Sequence, residues 1–174
     1  FSGTSFDGSY RSMSSRKDKD NNSLLVYLTT WDKEFIDIMG INLVKDNHLS
    51  GDVKYINEEL AGKVGLKNEE SEVSWGDGEV THVAGVFSNF HMRNVLDPYQ
   101  PFLISVKDTD EIEDPNFMVK TDGSPDAWQK LCDLVKEVDG TSEDLDWKVQ
   151  SVDATIKASM EDEKDTMRIV SCRM

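Results

Sequence analysis

The segment SEVSWGDGEVTHVAGVF, residues 71–87, decides the fold class. Two apolar-rich arms flank Gly-Asp-Gly, and Asp77-Gly78 suits a tight hairpin turn in which positive φ is required. The second arm is apolar on both parities, with Val80, Ala84 and Val86 on one and Val83 and Phe87 on the other. A strand with no polar face is covered on both sides, so residues 79–87 are expected to lie inside a sheet.

Outward from this hairpin, other strands and helices follow. Residues 24–28 (LLVYL) and 101–106 (PFLISV) read as buried strands, the latter with Pro101 where a missing N–H is tolerated. Thr30 is placed to cap a short helix whose stripe is Trp31, Phe35, Ile38 and Met39, ended by Gly40. Residues 41–44 suggest a further strand. Residues 53–66 carry Ile56, Leu60 and Val64 every four positions and are expected to be helical.

The strongest helix signal comes later. Ser124 stands as N-cap, Pro125 at the first helical position and Asp126 in the first turn, with Gly140 just past the end. Its stripe is Trp128, Leu131, Cys132, Val135 and Val138. Residues 145–149 alternate as a strand, and 166–172 read as a final one. Residues 152–164 fit either a strand or a helix. The sum is an α+β domain: a mostly antiparallel sheet of about five or six strands, packed against two or three helices. It is expected over residues 23–174, behind an extended N-terminal tail at 1–22.

The chain has 174 residues, 34 acidic against 19 basic, and a formal charge of −15. That charge repels nucleic-acid phosphates, so no nucleic-acid partner is expected. No apolar run reaches the ~20 residues that span a bilayer, so a soluble or membrane-peripheral chain is expected. Two cysteines without a CxxC spacing give no disulfide framework and favour a reducing compartment.

Motifs for chemistry are missing. GxSxG and HExxH do not occur. His48, His82 and His91 lack the close spacing of metal ligands. Residues 108–114 (DTDEIED) place Glu113 where a calcium loop needs glycine. Neither 62–67 nor 76–81 forms a phosphate-binding loop. No catalytic residue, cofactor or metal is therefore assigned. His82 or His91 would serve as base if the domain were a ligand-binding or enzymatic one.

The N-terminal stretch remains. It opens on Phe1, and FSGTSF with YRSMSSR supplies small, hydroxyl and basic residues. This resembles processed, nuclear-encoded plastid proteins of red-lineage algae, where Phe follows the cleavage point. The resemblance implies an accessory subunit on the stromal side of a plastid, peripheral to a photosystem. The expected role is non-enzymatic docking on a larger assembly. Phe1, Phe6 and Tyr10 would anchor it, Arg11, Arg16 and Lys17 would meet acidic groups, and Trp75 at the hairpin would add an aromatic contact. Trp75 packed inside the domain is the alternative for that residue. For the whole chain, the alternatives are a small-ligand or enzymatic domain, or a proteolytically released viral or secreted structural protein, with a cytoplasmic or virion location.

Overall fold

The computed structural model describes residues 12–49, 53–67, 70–76, 78–92, 97–113, 116–139, 149–155 and 157–158. The strands are β1 (Met13–Lys17), β2 (Ser23–Trp31), β3 (Leu43–Asp46), β4 (Lys54–Asn57), β5 (Glu72–Ser74), β6 (Val80–Phe87) and β7 (Phe102–Val106). The helices are α1 (Lys33–Met39), α2 (Glu58–Val64) and α3 (Pro125–Asp139). The class is α+β. Strand order is β1-β2-β7-β4-β6-β3, with β5 paired to the first half of β6.

The sheet is mixed rather than mostly antiparallel. β2 runs parallel to β7 and β4 parallel to β6, while the other pairs are antiparallel. Periodicity reports which residues are buried along a strand, but not the direction of its neighbour. The segment expected to be a tail also changes character. Residues 13–17 form a strand in register with β2, from Met13 opposite Tyr27 to Lys17 opposite Ser23.

The hairpin expected at 71–87 is present as β5 and β6, and the apolar arm lies between β4 and β3. One detail differs. The register shifts between Lys54 and Tyr55 of β4, which face Val83 and Gly85 of β6. This bulge puts Val83 and Val86 on the same face. Ala84 and Phe87 are buried as well.

The two faces carry separate clusters. Leu24, Val26, Ile56, Leu60, Val73, Trp75, Val83 and Val86 pack together beneath α2. On the opposite face Trp31 meets Phe35 of α1 and also Phe87 and Phe90, with ring centroids 4.9–5.7 Å apart.

Three boundaries move. β2 continues through Thr30, and Asp32 caps α1 by accepting the Phe35 N–H at 2.7 Å; Gly40, at φ 63°, ends it as expected. Residues 53–66 are not one helix: β4 ends at Asn57, which caps α2 by accepting the Leu60 N–H at 3.2 Å. Residues 152–155 and 157–158 are helical, and Ser151 Oγ accepts the Ala154 N–H at 3.3 Å. Of the strand expected at 145–149, residues 145–148 lie outside the described residues, as does the strand expected at 166–172.

Packing divides the chain into two compact units, Phe1–Phe117 and Met118–Met174. The first holds the sheet. The second holds α3, where Ser124 Oγ accepts the Ala127 N–H at 3.2 Å. Leu131, Cys132 and Val135 are half-buried along the expected stripe, whereas Trp128 and Val138 are exposed. Among the described residues no helix is long and apolar enough to cross a membrane.

Candidate docking surface

The expected contact residues fall into two groups. Phe1, Phe6, Tyr10 and Arg11 lie outside the described residues. Arg16, Lys17 and Trp75 come together at one corner of the sheet.

Strand alternation positions them. Ser14 and Arg16 stand opposite Val26 and Leu24, on the face of the α2 cluster. The Arg16 guanidinium carbon lies 5.4 Å from the Trp75 ring centroid, and its Nη1 pairs with Glu79 Oε2. Trp75 is only 3% exposed and its indole N–H donates to Thr81 Oγ1 at 2.9 Å. Trp75 thus serves packing, the second of its two readings. Beside it, Gly76 sits so close to β1 that an added Cβ would lie 2.6 Å from Lys17 Cβ. The Gly76 N–H donates to the Lys17 carbonyl at 3.4 Å. The residue 75–79 turn is thereby fastened to the end of β1.

The β1–β2 turn has its own lock. Asp18 accepts the backbone N–H groups of Asn22 at 2.8 Å and Asp20 at 2.9 Å, and Asn21 takes φ 64°. The Asn22 N–H is the main reason the Asp18 carboxyl is held below its ordinary pKa.

The opposite parity faces the other way. Met13 and Ser15 stand opposite Tyr27 and Leu25. Met13 is 52% exposed and Leu25 47%, which leaves an apolar corner next to the edge of the sheet. Sequence reasoning missed both residues. The signal available was Asp-Lys-Asp-Asn-Asn at 18–22, a turn composition between two segments of strand length.

Elsewhere, a crevice of about 320 Å³ opens where parallel strands β2 and β7 end, lined by Lys33, Glu34, Val106, Lys107, Asp108, Thr109 and Glu111. Neither His82 nor His91 lines it. His82 Nδ1 lies 3.2 Å from Glu72 on the exposed hairpin, and His91 packs on Tyr99 at 4.4 Å. His48 lies beside Asp46 at 3.3 Å. Among the described residues no group of three His, Cys, Asp or Glu side chains is arranged to hold a metal ion. Comparison with family models, curated proteins and solved structures found no match to this chain.

Proposed function

We propose that this chain is a non-enzymatic accessory subunit that docks on a larger protein assembly through the β1 side of its sheet and the residues preceding it. The observation that carries the reading is the apolar corner of Met13 and Leu25, exposed on a chain of charge −15. Contiguous exposed apolar surface marks contact sites. It adjoins the segment that holds Phe1, Phe6, Tyr10 and Arg11. The resemblance of residues 1–16 in composition to plastid proteins makes the stromal face of a photosystem the assembly to test.

The experiment is co-sedimentation of the full chain with photosystem particles from a red-lineage alga. The wild-type chain should bind. Leu25→Asp should weaken binding about tenfold, the scale of one lost anchoring contact. A wild-type chain that stays in the supernatant sinks the reading. Binding unchanged by Leu25→Asp removes the corner from it.

A second reading draws on the crevice, because ligands of open α/β sheets gather at the carboxyl ends of parallel strands. It predicts that one member of a metabolite library raises the melting temperature, and that Lys107→Ala cancels the rise. A library without such a member sinks it.

A further inference from the structure

We infer that Met13 is a site of reversible oxidation that takes a hydroperoxide as its substrate, and that its sulfoxide weakens the docking corner. The inference rests on the docking reading and supplies its regulation.

A methionine is oxidised where an oxidant reaches its sulfur. The sequence has seven methionines, of which Met13, Met39, Met92 and Met118 are among the described residues. Met92 is 2% exposed, and Met39 and Met118 are half-buried. Met13 is 52% exposed. It lies on β1, the first strand in the order of the sheet, so a small peroxide meets its side chain from solvent. Burial thus separates one methionine from the other three.

The reaction is an oxygen-atom transfer. The lone pair of Met13 Sδ attacks one oxygen of the peroxide; the O–O bond breaks as the S–O bond forms. The sulfur is oxidised from thioether to sulfoxide. Hydrogen peroxide is reduced to water, its departing oxygen taking the proton of the transferred one. Two thiols reverse the change, returning the thioether with a disulfide and water as products.

Position decides the consequence. Met13 stands opposite Tyr27 and diagonal to Leu25, in neither of the clusters packed on the two faces of the sheet. A sulfoxide there adds a strong dipole to the apolar corner and leaves both cores as they are. The same change at Met92 would set a polar oxygen in the interior. The fold therefore places the reactive sulfur in the contact surface and shields the one whose oxidation would damage packing. The rest of residues 12–17 are serines, Arg16 and Lys17, which hydrogen peroxide leaves unchanged, so Met13 alone carries the switch on β1.

The full chain is treated with hydrogen peroxide, mapped peptide by peptide by mass spectrometry, and co-sedimented with photosystem particles. Met13 should be oxidised at least about tenfold faster than Met92, with circular dichroism unchanged. The oxidised wild-type chain should bind about tenfold more weakly, the scale of one lost anchoring contact. Methionine sulfoxide reductases with dithiothreitol should restore its binding. Met13→Leu, which keeps the apolar volume, should bind like the untreated wild type both before and after peroxide. Oxidation of Met13 no faster than that of Met92 overturns the site. Peroxide that weakens Met13→Leu as much as wild type assigns the effect to another group, such as the half-buried thiol of Cys132, and overturns the switch. Loss of circular dichroism alongside the weakening, or binding that reduction does not restore, overturns it as well. An untreated wild-type chain that fails to bind removes the docking reading and the switch together, while the order of oxidation still decides the site.

Discussion

Asn57 has no exposed surface, and its side-chain amide has all four hydrogen-bonding positions filled. Oδ1 accepts from Leu60 N–H at 3.2 Å and Phe102 N–H at 2.9 Å, and Nδ2 donates to Asn89 Oδ1 at 3.1 Å and the Gln100 carbonyl at 2.8 Å. One residue thus ends β4, starts α2 and fixes the entry of β7. Asn57→Ala removes a cap and leaves buried partners unmet, so urea unfolding should show a loss of about 2–4 kcal/mol. Asn57→Asp should not rescue it, because two donors become acceptors facing oxygen. Asp18 makes a pH-dependent contribution. Its folded pKa is lowered, so the stability it contributes is present above the unfolded value and lost as pH falls through the folded one. Carbonyl NMR should find Asp18 titrating below the ordinary aspartate value. Hydrogen exchange at Asn22 should accelerate only in that acidic window. A midpoint at the ordinary value would refute the lock.

At the scale of elements, the hairpin 71–87 was legible because its period, its turn residues and its flanks agree. The 53–66 segment was not. Ile56, Leu60 and Val64 share a face at helical spacing, yet Ile56 sits on a strand and the other two on the helix laid over that same face. Two elements mimic one stripe. Asn57-Glu58-Glu59, a capping residue followed by acids, is the signal that separates them. Gly85 ties β3 to β6: a Cβ there would lie 2.5 Å from the Lys45 carbonyl and 2.9 Å from Leu43 Cδ1. Gly85→Ala must push backbone aside, and hydrogen exchange should show β3 opening before the rest of the sheet. At the hairpin corner, Trp75→Ala should cost about 3–5 kcal/mol by vacating a filled core site. Glu79→Gln, which weakens a partly exposed ion pair with Arg16, should cost less than about 1 kcal/mol. Equal losses in the two variants would contradict this division of roles.

At the scale of the molecule, β1 is part of the sheet, so a chain shortened by residues 1–22 loses a strand and uncovers the edge of β2. That chain should melt at lower temperature and aggregate on concentration, as light scattering would show. A shortened chain with the melting point of the full one would refute the role given to β1. The candidate docking corner has the same origin. The turn composition at 18–22 marks the two strands, but not the exposure of Met13 or Leu25, because exposure depends on what lies across the strand, and that is set by register. Sequence alone determined the α+β class, the strand at 80–87 with its buried half at 83–87, the strand at 101–106 and the capped helix from Pro125. Each is written in local period and turn chemistry, which act over a few residues. Only the tertiary structure decided that β2 and β7 run parallel, that residues 13–17 are a strand and that Trp75 is interior. Those outcomes depend on partners 6 to 75 positions away, and the spacing of apolar residues along one segment does not encode them.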